Sequence, residues 1–183
     1  MTQLWKHGVP ILLLTAMVVG CGGNSSDGPG GGTAGGMPTP YSFREAFAKL
    51  EASGQLPVLD RSDSIAGPDV NANGVRDDIE RHIDSKPDSQ AQKNSLKALS
   101  RALTQAMTVD TKDKNALRDV TNSINISTGC IWKTYRTGAV ASPLGDEIEK
   151  LTVNTRRRYD AYMKYNSAMN GAVISAPKGL NCD

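Results

Sequence analysis

Histidine is nearly absent from this 183-residue chain, which has only His7 and His82. A zinc site built on several histidines is excluded, and a Ser-His-Asp arrangement would have to use His82. His82 follows Glu80 by two residues in a charged stretch and is expected to be exposed or at a helix end. Neither sign of charge dominates: the formal net charge is +2 with 22% charged residues. That balance excludes a strongly basic nucleic-acid binder and a disordered acidic or basic tail. The apolar run Val9 to Val19 has 11 residues, too few to span a bilayer as a mature helix. No stretch alternates apolar and polar residues long enough to propose a sheet. Nothing has the pattern of a nucleophile elbow, a phosphate loop or a metal-catalysis cluster. The three cysteines include no CxxC pair, so thiol redox chemistry has no spacing to support it.

What is present divides into unlike parts. Residues 1–20 have the form of a secretion signal: a short polar start with Lys6 and His7, the apolar run, then Val18-Val19-Gly20-Cys21. These four residues resemble the bacterial lipobox. The resemblance implies that Cys21 is acylated with palmitate-type chains and becomes the first residue of the mature chain; an ordinary signal peptide with an incidental Cys21 is the alternative. Several acyl chains make a stable anchor, because each buried methylene contributes about 0.8 kcal/mol. Eight of the 18 glycines lie between Gly22 and Gly36. The Gly/Pro/Ser-rich segment Gly22 to Pro40 offers almost nothing to bury and is expected to be a disordered tether within roughly 25 Å of the membrane. In lipoproteins an aspartate after the cysteine commonly signals inner-membrane retention. Gly22 stands there instead, so the resemblance favours the periplasmic face of the outer membrane.

Residues 41–183 are expected to be a single all-α domain, a small antiparallel helical bundle preceded by a calcium-loop segment. Phe43, Ala46, Phe47 and Leu50 mark a first short helix, with Ser42 as N-cap and Gly54 as its stop. Leu96, Leu99, Leu103 and Met107 mark a longer helix whose start is signalled by Pro87-Asp88-Ser89. Leu117, Val120, Ile124, Ile131 and Tyr135 predict another from Asp113 to Arg136, which Gly129 and the β-branched run before it could kink or split. Leu144, Ile148, Leu151, Thr155, Tyr159, Tyr162 and Met169 predict a last one from Pro143 at its first turn to Asn170-Gly171. Val109 to Lys112 and Gly138 to Ser142 are expected breaks. With Cys21 acylated, Cys130 and Cys182 remain, and in an oxidising compartment they pair most simply as a disulfide. It would tie the tail Ser175 to Asp183 to the domain and contribute about 4 kcal/mol.

The segment Asp69 to Glu80 carries the chemistry. Calcium requires six to eight hard oxygen ligands from a tightly curled backbone. Asp69, Asn71 and Asn73 fill EF-hand positions 1, 3 and 5, and the Val75 carbonyl fills position 7. Asp77 at position 9 acts through water, Glu80 at position 12 supplies two oxygens, and Gly74 at position 6 permits the turn. Ser64 to Pro68 cannot continue a helix into Asp69, however, and position 8, usually aliphatic, is Arg76. The segment resembles the single EF-hand-like calcium loops of secreted bacterial proteins, which keep only the exiting helix, here Val75 to Asp84. Such a loop is expected to hold a structural calcium ion with an affinity of order 0.1 to 1 mM, clipping the Leu56 to Gly74 loop onto that helix. The competing reading is a metal-free Asx-turn followed by acids that suit a helix N-terminus. Asp60 and Asp63, just upstream, are expected to cap turns, the alternative being that they add a ligand.

Arg156, Arg157 and Lys164, interleaved with Tyr159 and Tyr162, are candidates for binding an anionic group or partner, against the plainer reading of a solvated face with both tyrosines turned inward. Trp132 is expected in the core. Leu56 to Asp63, the loop and Leu151 to Arg156 together resemble a group of small bacterial lipoproteins with no assigned activity. That resemblance implies an envelope location and no catalytic residues. The expected function is therefore a non-enzymatic, calcium-stabilised helical module. It is anchored to the membrane by lipid, faces the periplasm, and binds an envelope protein or polysaccharide rather than nucleic acid. The alternatives are an immunity or inhibitor protein against a secreted toxin, and a cell-wall or polysaccharide hydrolase using Asp77 and Glu80.

Overall fold

The computed structural model describes residues 43–173, 179, 180 and 182. The chain divides into two units, Met1–Pro40 and Tyr41–Asp183, and the described residues belong to the second. The expected signal, acylated Cys21, tether and N-cap Ser42 lie outside the described residues. The second unit is all-helical, in the order α1 (Phe43–Ala52), α2 (Asp77–Ser85), α3 (Gln90–Thr108), α4 (Lys114–Tyr135), α5 (Gly138–Thr152) and α6 (Arg156–Ala168). Among the described residues no helix is long and apolar enough to cross a membrane.

Helix α3 is the hub, lying against α2, α4, α5 and α6. Its apolar positions Leu96, Leu99 and Leu103 recur at helical spacing and are buried with Val75, Ile79, Ile83, Ile131, Ala141 and Ile148. A second cluster of Ala106, Leu117 and Tyr165 closes the far end. There the Tyr165 hydroxyl and Thr121 Oγ1 are 2.7 Å apart, so the buried phenol keeps a polar partner. Helix starts are set by local caps. Ser89 and Gln92 form a capping box on α3, Asp113 Oδ1 accepts from Asn115 N and Ala116 N on α4, and Thr155 accepts from Arg158 N on α6.

Two helical expectations are corrected. The predicted last helix is two, α5 and α6, separated by Val153, Asn154 and Thr155. The predicted break Gly138 to Ser142 is instead the first turn of α5, with Pro143 inside the helix rather than at its start. The physical reasons lie far away in sequence. Arg76 Nη1 and Nη2 donate to the carbonyls of Thr152 and Leu151 at 3.2 and 2.9 Å, ending α5 with a buried guanidinium. Asn154 then donates to the Asp60 carbonyl, and Thr155 starts α6. Helix α4 is continuous through Gly129. Leu180 lies against that glycine, where a Cβ would stand 2.9 Å from its side chain. Cys130 and Cys182 are disulfide-bonded with Cα atoms 5.5 Å apart.

Candidate metal centre

The loop entering α2 is curled by Ala72 and Gly74, both in left-handed conformation (φ 54° and 81°). Asp69 turns its carboxylate inward: Oδ1 accepts from Asn73 N at 3.1 Å and Oδ2 from Gly74 N at 2.7 Å. Asn71 Oδ1 accepts from Asn73 N at 3.2 Å, and Asn73 Oδ1 from Val75 N at 2.8 Å. Both amide nitrogens converge on Glu80, Asn71 Nδ2 at 3.0 Å from Oε2 and Asn73 Nδ2 at 2.8 Å from Oε1. Asp77 Oδ1 accepts from Val70 N at 3.1 Å and closes the loop across its mouth. Of the six expected ligands, Asn71 and Asn73 turn their amide nitrogens to the two oxygens of Glu80 and their own oxygens to the loop backbone, and Asp69 accepts from backbone N–H groups of the same curl. Asp77 is used as a backbone tie, and Val75 buries its side chain completely in the core.

Among the described residues no three His, Cys, Asp or Glu side chains are gathered so as to hold a metal. A cation would therefore depend on the asparagine oxygens and backbone carbonyls as well as on carboxylates. Each asparagine carbonyl has one hydrogen bond and a second lone pair free in principle, so the donor set is all-oxygen and fits a hard ion. Helix α3 supplies the surroundings. Lys97 Nζ lies 2.9 Å from Glu80 Oε1, and Arg101 Nε donates to the Asn73 carbonyl at 2.6 Å. The Lys97 ammonium holds the Glu80 carboxyl below its ordinary range, helped by the two amides and opposed by partial burial. A hydrolytic acid of the glycosidase type needs the opposite, a carboxyl pushed up.

Arg76, which breaks the aliphatic pattern at loop position 8, is the centre of a buried ion pair. Its Nε and Nη2 reach Asp78 Oδ1 and Oδ2 at 2.6 and 2.9 Å, and both side chains are below 5% exposed. Asp78 also accepts from Asp60 N at 2.7 Å. Arg158, fully buried, donates to the carbonyls of Asp60, Ser64 and Ile65 and pairs with Asp60 Oδ2. Burial pushes the Asp60 carboxyl up, but Arg158 and Ser62 hold it below the ordinary range. Gly67 (φ +74°) lies where a Cβ would run into the Arg76 stem and approach Arg158 Nη2. The two arginines thus fasten the irregular segment before α2 to the α5–α6 junction. The sequence signals for this are the displaced arginine of position 8, the doubled acid Asp77-Asp78 and Gly67. None of them names Arg158 as the partner.

Arg158 also explains a correction on α6. Its inward stripe is Arg158, Tyr162 and Tyr165, so Tyr159, one residue past the stripe, is 50% exposed rather than turned inward. Burial, with the charge of Glu149 nearby, pushes the Tyr162 hydroxyl up to about 12. Arg157 and Lys164 are exposed, while Arg156 is paired with Asp160 at 2.9 Å. Trp132, expected in the core, is 51% exposed. Its neighbour Ile131 takes the core position on α4, and the indole lies against Gly138. His82 sits in the last turn of α2, where Nε2 is 2.6 Å from Glu147 Oε1 on α5, and Lys86 joins the same carboxylate at 3.0 Å.

Comparison with protein-family models, curated proteins and solved structures finds no match for this chain.

Proposed function

We propose that the chain is a lipid-anchored envelope protein whose helical domain, with its 69–80 loop closed around a structural calcium ion, binds another macromolecule at the periplasmic face of the outer membrane. The observation that carries this reading is the curl that brings the side chains of Asn71 and Asn73 onto Glu80 while Asp69 turns its carboxylate into the same loop. These residues, with the Val75 carbonyl and Asp77, would hold the ion, which would neutralise the cluster and lock the loop onto α2. The anchor rests on the lipobox-like ending at Cys21.

Binding rather than catalysis is supported by where the charges are used. Arg76, Asp78, Arg158 and Asp60 are engaged in holding the fold. On the exposed side of α6, Arg156 stands beside Tyr159 and Met163, which are 50% and 40% exposed, and Arg157 and Lys164 lie further round the helix. Cations on one arc of the helix and aromatic and methionine side chains on the next suit a partner that is anionic in part and apolar in part.

The test has two arms. Calcium is expected to raise the thermal midpoint of the purified domain, with little effect of magnesium and none on Glu80→Gln; no calcium-dependent shift in the unsubstituted protein would refute the ion. In the envelope, palmitate labelling is expected to be lost in Cys21→Ser. A photocrosslinker at position 159 is expected to capture a partner that Arg157→Glu/Lys164→Glu no longer captures.

A further inference from the structure

We infer that Lys97 is a built-in competitor of calcium at Glu80, and that Asp84 is the site to which its ammonium withdraws when the ion enters. The inference rests on the calcium reading of the loop. Lys97 Nζ lies 2.9 Å from Glu80 Oε1, an oxygen that also accepts from Asn73 Nδ2. The same ammonium reaches Asp84, one turn further along α2, at 2.9 Å from Oδ1. Lys97 and Glu80 are 16% and 19% exposed, whereas Asp84 is 49% exposed. The cation is therefore shared between an inner carboxylate that belongs to the loop and an outer one that does not.

Arg101, one turn along α3 from Lys97, is fixed differently: its Nε donates to the Asn73 backbone carbonyl, and its stem packs on Gly74. Arg101 can stay where it is when an ion enters, because it holds backbone rather than a side-chain ligand. Lys97 cannot, because a divalent ion on both Glu80 oxygens would face a like charge on the same oxygen. The metal-free loop is thus already held by an internal cation. Calcium must displace it, which lowers the affinity of the site and couples its occupancy to the α2–α3 contact.

Calcium affinity measured by calorimetry at low ionic strength on the unsubstituted protein, Lys97→Met, Asp84→Asn and the double variant tests this, with Lys97→Gln as a second removal of the charge. Lys97→Met is expected to bind calcium about tenfold more tightly or better, since a monovalent charge near 5 Å from a divalent ion acts on that scale even in water. Asp84→Asn is expected to weaken binding, and to weaken it less when Lys97 is already Met. Without calcium, Lys97→Met should melt lower than the unsubstituted protein, yet gain a larger shift on calcium addition. A merely structural lysine would not produce these opposite signs. Equal or weaker binding by Lys97→Met and Lys97→Gln, with the unsubstituted protein still binding, would overturn the competition and leave the calcium loop standing. Absence of binding by every variant would overturn both.

Discussion

Arg76 and Asp78 carry opposite charges below 5% exposure, and each keeps the other from being an uncompensated charge in the interior. Removing one partner of such a pair typically costs about 3–5 kcal/mol, because the survivor remains buried and unpaired. Arg76→Met and Asp78→Asn are each expected to lower the unfolding free energy on that scale in urea titrations. Changing both to apolar residues should cost less than the two single losses added together. The arginine is expected to show the larger loss, since it also satisfies two carbonyls at the end of α5. At this scale the tight curl ahead of α2 was legible, because Asp69, Asn71 and Asn73 recur every second residue and the turn glycine Gly74 follows them. The arginine pair was legible only as an anomaly: Arg76 stood where an aliphatic residue was expected, and its partners Thr152 and Leu151 are some 75 residues away. On α6, Arg158 displaced Tyr159 from the interior because hydropathy cannot show that a guanidinium has three carbonyls waiting for it.

Helix boundaries followed local chemistry wherever that chemistry was local. Ser89 and Asp113 cap the helices that their positions predicted. The α5–α6 junction was not legible, because the apolar spacing runs through it without a fault. The break is imposed by Arg76 and Asp60, which take up the backbone and side-chain groups of residues 151–154. Pro143 misled because proline favours a first helical turn, whereas here it stands as the sixth residue of α5, where its missing N–H costs the helix one backbone hydrogen bond. Helix α4 ends differently, with Arg136 in left-handed conformation (φ 63°). A side chain there costs about 1–2 kcal/mol, more than glycine loses in chain entropy. Arg136→Gly is therefore expected to stabilise the domain by up to about 1 kcal/mol, read as a higher denaturation midpoint with an unchanged slope.

Across the whole domain, carboxylates at three separate joints are held below their ordinary range: Asp60 by Arg158 against burial, Glu80 by Lys97, and Glu147 by Lys86 and His82 against burial. A carboxyl depressed in the folded state contributes stability that is present above its unfolded value, about 4, and is lost as the pH falls through the folded value. The domain should accordingly hold a level midpoint near neutrality and lose stability on acidification below about pH 4. Glu147→Gln should flatten part of that acid limb, as thermal melts from pH 7 to pH 2.5 would show. The exposed indole of Trp132 bears on how such melts are followed. It is the one tryptophan among the described residues, half open to solvent and laid against the first turn of α5. Its emission is expected to be that of a partly wet indole already in the native protein, with small quenchers reaching it before unfolding. Intrinsic fluorescence will therefore report the α4–α5 corner and stay nearly silent about the loop, so circular dichroism is the spectroscopy suited to melts in which calcium is titrated.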